Sequence, residues 1–289
     1  MENRLKMFGK SCLMPFLALV LAGAANAQTT TPPPKKATSH AKMAPAAPVI
    51  PALEPKAIEL LMATSARLAA AHTLSFTAVE IFEHPSRHGH PLAYATKSDV
   101  TLQRPDKLRV LIAGDGPASE FYYDGKVMMA YAPAENLLAV ADAPPTIDAT
   151  LDAAYKLAGI YFPFTDLIVA DPYKDMARGL KLAYYVGQSH VIGGTKTDIV
   201  AYIDNGVFLQ VWIGAEDKLP RMVHATFLDD PERMRHHLEL SNWQLDAPVS
   251  LNAFSASNAG TAKRMPFAHP HPEAAPKSKP ATKSTPSQQ

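Results

Sequence analysis

Apolar and polar residues change their spacing along the chain, and each change predicts a different element of secondary structure. Between Lys56 and Ala71, apolar residues recur every three or four positions, which predicts an amphipathic helix. The same spacing returns between Thr146 and Ile160, where Asp148 would lie in the first turn and complement the helix dipole. We therefore expect one helix near the start of the globular region and one near its middle.

Segments with alternating or continuous apolar residues predict β-strands before and after the second helix. Asp124-Gly125 and Asp204-Asn205-Gly206 have the composition of tight hairpin turns, in which glycine accepts a positive φ. The predicted strands lie within residues 74–84, 98–104, 107–114, 121–131, 135–141, 181–188, 197–204, 207–214, 221–228 and 234–245. The order helix, meander, helix, meander predicts an α+β domain with one long, curled, mostly antiparallel sheet.

Several predicted strands carry apolar residues on both faces. Val127, Met129 and Tyr131 share one face of a predicted hairpin. Met128 and Ala130 share the other face. Either both sides of the sheet are packed, or an apolar hollow that the chain's own side chains do not fill lies between the sheet and the helices. The pattern by itself is compatible with both arrangements.

The first 27 residues have the pattern of an export signal. Lys6 and Lys10 precede an apolar run from Cys12 to Ala25, and Ala25-Asn26-Ala27 is a small-x-small cleavage pattern. The run is shorter than the ~20 residues that span a bilayer, so a retained anchor is the weaker alternative. We expect a cleaved signal peptide at residues 1–27, export to a bacterial periplasm and no integral membrane segment afterwards. Cleavage would remove the only cysteine, which excludes disulfides and thiolate sites.

Charge is distributed unevenly between the body and its flanks. Residues 56–255 contain 17 Lys and Arg against 24 Asp and Glu, a net charge of −7. This acidic body argues against a nucleic-acid partner, because binding phosphates requires a basic patch. We expect residues 56–255 to form a single domain that buries about 70% of its unfolded surface.

The flanks at residues 28–55 and 256–289 are rich in Pro, Ala and Lys, with net charges of +2 and +4. They are predicted to be a disordered linker and a disordered tail, because they have too few apolar residues to build a core. Two roles are open for these basic segments. They could contact an envelope partner such as anionic glycolipid or peptidoglycan, or they could act only as solubilising spacers.

Four segments carry a resemblance to a known family. They are YYDGKVMMAYAPAENLLAVADAPPTIDATLDAA (122–154), GIYFPFTDLIVADPY (159–173), YVGQSHVIGG (185–194) and VFLQVWIGAEDKLPRMVHATF (207–227). In this order they resemble blocks of a bacterial periplasmic family known as domain of unknown function 2092, from about Lys56 to Asn252. That family is similar in fold to the LolA/LolB lipoprotein carriers, an incomplete antiparallel β-barrel with helices across its concave face. The resemblance implies an apolar cavity between sheet and helices, and it implies no catalytic residues.

The expected cavity lining combines one face of several strands with the helices. Methionine suits a site that adapts to variable chains, although an ordinary core contains the same residue types. The predicted lining residues are Phe76, Val100, Leu102, Tyr123, Met129 and Trp212 from the sheet, and Leu151 and Tyr155 from the second helix.

The residues from Glu83 to Pro91 form the strongest candidate for metal chemistry. His84, His88 and His90 have a spacing that could bind Zn²⁺ or Cu²⁺. Ordering such a loop costs about 1–2 kcal/mol per residue, so we expect a solvated connection with no metal and no cofactor. No G-x-S-x-G nucleophile motif occurs in the chain, and we expect no catalytic activity.

These observations predict a periplasmic, non-catalytic binder or carrier of a hydrophobic ligand, such as a lipid, an acyl chain or a lipoprotein. The ligand would lie in a cavity between sheet and helices. The alternative is an interaction module of the cell envelope, with a filled core and no small-molecule ligand. In that case the acidic surface or the basic tails would dock a partner.

Overall fold

The computed structural model describes residues 52–269. The predicted signal peptide, most of the first flank and the tail from residue 270 lie outside the described residues. The α-helices in the described range are α1 (Pro55–Ala70), α2 (Ile147–Ala158), α3 (Thr165–Ile168) and α4 (Pro172–Gly179). The two helices predicted from the spacing of apolar residues are confirmed as α1 and α2, whereas α3 and α4 were not predicted.

Twelve strands form one sheet within the described range. They are β1 (Thr73–Pro85), β2 (Pro91–Gln103), β3 (Lys107–Gly114), β4 (Ser119–Tyr123), β5 (Val127–Ala132), β6 (Leu137–Asp142), β7 (Leu180–Ser189), β8 (Thr197–Asp204), β9 (Val207–Gly214), β10 (Pro220–Phe227), β11 (Arg235–Leu245) and β12 (Lys263–Met265). Their order is β12-β6-β5-β4-β3-β2-β1-β11-β10-β9-β8-β7, and only the β12–β6 pair is parallel. The prediction of a curled, mostly antiparallel sheet in an α+β domain is confirmed in this coarse form.

The two meanders meet through the first strand. β1 pairs with β2 on one side and with β11 on the other, so residues far apart in sequence become neighbours. Phe82, for example, lies opposite Tyr94 on β2 and opposite His236 on β11. Side chains from β1, β2, β10 and β11 therefore share one surface.

Local sequence signals explain where the helices begin and end. Pro55 opens α1, where its missing N–H has no helical partner to lose. The Thr146 side chain caps α2 by accepting a hydrogen bond from Ala149 N, and Gly159 ends it with a positive φ of 69°. Asp171 caps α4 by accepting from Lys174 N.

Buried residues form three clusters. The main core lies between β1–β5, β11, α2 and the α2–α3 connection, and it includes Phe76, Leu102, Tyr123, Leu151 and Phe164. The second core packs α1 against β7, β8 and β9. We call the sheet face that contacts the helices the helix-side face, and the opposite one the outer face. The third cluster joins Tyr131 and Leu138 to Ala259.

Ordered contacts extend beyond the predicted limits of the globular body at both ends. Leu53 bridges to Ala183, and the Glu54 carboxylate accepts a hydrogen bond from Tyr185 N at 2.8 Å, so these linker residues belong to the domain. Residues 256–265, assigned to the disordered tail, pack through Ala259 and pair with β6 through β12. Alanines make this contact. The sequence did not indicate it, because the Pro and Lys residues around them are typical of a disordered tail.

Candidate functional site

Six of the eight predicted lining residues are buried on the helix-side face or on α2. Phe76, Val100, Leu102, Tyr123 and Leu151 join the main core, and Tyr155 is buried on α2. The other two lie elsewhere. Met129 packs against the third cluster, and Trp212 alternates with Val211 and Ile213, which both face the second core.

Aromatic side chains of the α2–α3 connection fill the space between the helices and β1–β4. Phe164 meets Phe76 edge to face at 5.5 Å between ring centroids, and it stacks on Phe162 at 5.6 Å. Phe162 also meets Phe121 at 5.4 Å. Such aromatic pairs contribute about 0.5–1.5 kcal/mol beyond area burial. The chain's own side chains therefore occupy this end of the predicted cavity.

Arg104, at the end of β2, ties the helices to the sheet. Its Nη1 donates to Ile168 O of α3 at 3.0 Å, and its Nη2 donates to Leu68 O of α1 at 3.4 Å. Burial lowers the pKa of the Arg104 guanidinium, and Asp148 opposes this shift. A cation near the last carbonyls of a helix also complements the helix dipole. Sequence reasoning missed Arg104, because nothing local distinguishes it from a turn arginine.

A second aromatic group lies on the helix-side face, further along the strands and outside the three clusters of the described residues. Phe82 stacks on Tyr94 at 5.7 Å and lies 5.9 Å from His236, and Phe227 meets His236 edge to face at 5.1 Å. Phe76 and Phe82 are an even number of residues apart on β1, so they share a face. We call Phe82, Tyr94, Phe227 and His236 the aromatic patch.

Glu80 lies beside the aromatic patch and contacts one of its members. Its Oε1 is 3.4 Å from His236 Nδ1, and its Oε2 accepts a hydrogen bond from Thr96 Oγ1 at 3.3 Å. Burial raises the pKa of Glu80 to about 7, and the Thr96 hydrogen bond opposes this shift. Burial also lowers the pKa of His236. Burial therefore shifts the protonation equilibrium of both side chains towards their neutral forms.

Asp204, at the end of β8, is a second carboxyl group held in an unfavourable environment. Its Oδ1 is buried and has no hydrogen-bond partner among residues 52–269, and a side chain at Gly179 would clash with it. Burial raises the pKa of Asp204 to about 6, and the charge of Asp166 adds to the shift. The carboxylate form is thus less stable in the folded protein than in the unfolded chain.

We expect Asp204→Asn to become increasingly stabilising as the pH rises. The folded pKa of Asp204 lies above its unfolded value, so wild-type stability falls between about pH 4 and the folded pKa of about 6. The free energy of unfolding of the variant relative to wild type should therefore grow by about 1 kcal/mol over this interval. This figure is smaller than the full pKa shift implies, because water screens the charge of a half-buried group. Urea unfolding at both ends of the interval measures it. The exposed Asp229→Asn is the control, and a difference that does not grow with pH would refute the prediction.

The histidine-rich connection lies at the β1–β2 hairpin, and His84, His88 and His90 are all exposed. Within residues 52–269, no three His, Cys, Asp or Glu side chains are placed to hold a metal ion. His236 faces the helix side, whereas its neighbour His237 lies near Glu239 with 3.3 Å between Nε2 and Oε1. Within residues 52–269, none of the helices combines the length and the apolar composition of a membrane-spanning segment.

A cleft of about 310 Å³ lies at the opposite end of β1 from the aromatic patch. Apolar atoms form most of its lining, and Asp246 Oδ1 there accepts a hydrogen bond from His72 N at 2.7 Å. Its volume is at the lower end of the range for small-molecule sites. The lining residues are His72, Thr73, Gln103, Asp246, Ala247, Pro248 and Val249.

A family model described as "Predicted periplasmic protein (DUF2092)" matches residues 57–268. Comparison with curated proteins finds no match. Solved structures with a similar chain course include LprF from Mycobacterium bovis, with 17% identity, a TM-score of 0.42, and coverage of 70% of this chain and 98% of that one. The MucA/MucB complex of Pseudomonas aeruginosa has 14% identity, a TM-score of 0.40, and coverage of 71% and 62%. The LolA superfamily protein NE2245 from Nitrosomonas europaea has 8% identity, a TM-score of 0.32, and coverage of 70% and 98%.

Proposed function

Because the chain belongs to the DUF2092 family of predicted periplasmic proteins, we propose that it is a non-catalytic periplasmic protein that binds a hydrophobic ligand on the helix-side face of its sheet. The aromatic patch is the observation that carries this proposal. It extends the apolar surface of β1 and β2 beyond the filled main core, with the ring of Phe82 stacked on that of Tyr94. In this proposal the curled sheet acts as an incomplete barrel and the helices act as its lid.

Burial on this surface would offset the free-energy cost that an acyl chain incurs when it enters water. Each buried CH₂ contributes about 0.8 kcal/mol, so a sixteen-carbon chain gains on the order of 12 kcal/mol before entropy and reorganisation are subtracted. The ligand class is therefore a lipid, a free acyl chain or the acyl chains of a lipoprotein. Of the predicted lining residues, Tyr155 and those in the main core would be reached only after the lid moves.

Movement of the helices away from the sheet would have to break the hydrogen bonds of Arg104. Arg104 holds α1 and α3 to the sheet through the carbonyls of Leu68 and Ile168. Displacing α3 would also withdraw Phe162 and Phe164, which precede it directly, from the main core. Opening therefore exposes an apolar surface that a chain-like ligand can cover.

The filled main core favours a second candidate function, an interaction module of the envelope. In that case no ligand enters, and the basic segments at residues 28–51 and 270–289 dock a partner. Deletion of these two segments distinguishes the two candidate functions. A ligand-binding protein should still bind its ligand after the deletion, whereas an interaction module should no longer associate with the envelope. Residues 256–269 must be kept, since β12 pairs with β6.

Native mass spectrometry of protein purified from an envelope extract tests the proposed function, with uptake of a fluorescent fatty acid as the second measurement. We expect bound lipid, and we expect Phe82→Ser to weaken fatty-acid binding about tenfold by removing a ring from the patch. Ile81→Ser is the matched control, because Ile81 is the adjacent residue and points to the outer face, where 41% of it is exposed. Absence of both bound lipid and fatty-acid uptake would contradict the proposal.

A further inference from the structure

The aromatic patch surrounds a carboxyl group that the binding of a plain apolar chain does not require. Glu80 and His236 both lie on the helix-side face, and their side chains are only 14% and 17% exposed. Phe82 follows Glu80 on the same face of β1, and Leu238 lies opposite Glu80 on β11. The Glu80 carboxyl group is therefore largely removed from water, with the His236 ring, the Thr96 hydroxyl and Leu238 beside it.

None of the described groups next to the Glu80 carboxyl group is a permanently charged Lys or Arg. On β2, the side chains beside it are the Thr96 hydroxyl and the Tyr94 ring. On β11, the ionisable neighbour is His236, which Glu83 also influences. Among residues 52–269, no Lys or Arg forms an ion pair with Glu80. The cations on the neighbouring strands have other partners: Lys97 on β2 pairs with Asp99, and Arg235 on β11 pairs with Glu83.

We propose that Glu80 and the rings of Phe82, Tyr94 and Phe227 form a binding site for the ammonium head group of an amphiphilic ligand. This inference rests on the proposed function, because the patch would hold the ligand's apolar chain. A carboxylate supplies the charge opposite to an ammonium, and ring faces attract cations at a separation of up to about 6 Å from the ring centre. An anionic head group would be repelled by the Glu80 carboxylate and would also lose its hydration. None of the described Lys or Arg residues forms an ion pair at Glu80 that could compensate for this cost.

Protonation of Glu80 links this site to pH. Burial raises the pKa of Glu80 to about 7, so the free site holds a proton for part of the time at neutral pH. An ammonium ligand binds the ionised form and must displace that proton. Its affinity should therefore rise as the pH increases through 7 and then level off. At acid pH, protonation of His236 adds a positive charge that opposes the ligand further.

The experiment compares three ligands with the same ten-carbon chain, namely decyltrimethylammonium, decanol and decanoate, by isothermal titration calorimetry on either side of pH 7. We expect the ammonium compound to bind about tenfold more tightly than decanol above pH 7, and to lose this advantage below it. Glu80→Gln should remove the advantage and its pH dependence, so that decyltrimethylammonium and decanol bind with similar affinity. Glu239→Gln is the matched control, since Glu239 is an exposed residue that faces the other side of β11.

The possible failures are distinguishable. Equal binding of all three compounds, or tighter binding of decanoate, would overturn the ammonium site and leave the proposed function standing. An ammonium preference that persists in Glu80→Gln would also overturn it. No binding of any of the three would overturn both the ammonium site and the proposed function. A thermal unfolding scan of each variant separates loss of the site from loss of the fold.

Discussion

Replacement of Phe164 by alanine should lower the free energy of unfolding by about 3–5 kcal/mol. Phe164 is 1% exposed and lies between Phe76 and Phe162, so its removal leaves a cavity lined by aromatic carbon that the surrounding strands cannot close. Urea unfolding followed by circular dichroism measures the change. The same cavity should take up small apolar molecules, because engineered apolar cavities stay dry and bind them.

Leu157→Ala is the control for this substitution. Leu157 lies on the nearby helix α2 and is 49% exposed, so its loss should change stability by less than about 1 kcal/mol. A loss below about 1 kcal/mol for Phe164→Ala would mean that the α2–α3 connection does not fill the main core. The hollow predicted as one of two alternatives from the sequence would then be the better description.

The second large effect is expected for Arg104→Met. Methionine keeps most of the aliphatic packing but removes both hydrogen bonds to the carbonyls of Leu68 and Ile168. We expect a loss of about 2–3 kcal/mol in the free energy of unfolding, because hydrogen bonds from a charged donor are replaced by two unsatisfied carbonyls. Amide hydrogen exchange in α1 should also accelerate, since the helix is no longer tied to the sheet.

Arg109→Met provides the comparison for Arg104. Arg109 Nη2 donates to Thr101 Oγ1 at 3.1 Å within the sheet. Its loss should leave exchange in α1 unchanged. If Arg104→Met and Arg109→Met accelerate amide exchange in α1 equally, Arg104 does not tie α1 to the sheet. If Arg104 is the tie, fatty-acid uptake by Arg104→Met should be faster than by wild type.

The sequence predicted secondary structure best where the signal was local. Both predicted helices agree with α1 and α2 to within two residues at each end, because helical spacing, Pro55, Asp148 and Gly159 all act within a few residues. The short helices α3 and α4 escaped prediction, because fewer than three turns give no readable period. β2 begins at Pro91 rather than Ser98, because the exposed residues at its start lack strand-like alternation.

The site was predicted less well, since the face that a strand buries depends on its partners. Met129 lies on the strand face that packs against the third cluster. Trp212 lies on the strand face opposite to the one that carries Val211 and Ile213. Nothing within either strand distinguishes these faces, because apolar residues occupy both. Arg104 and the Glu80–His236 contact were missed for the same reason, as their partners are distant in the chain.

The sequence by itself determined the two main helices, the hairpin turns, the run of strands and the family, because each depends on contacts between near neighbours or on ordered blocks of residues. Only the tertiary structure decided which sheet face meets the helices, what fills the space beneath them, and where Glu80 lies. Pairing of β1 with β11 brings together residues about 160 positions apart, and no local pattern encodes that register.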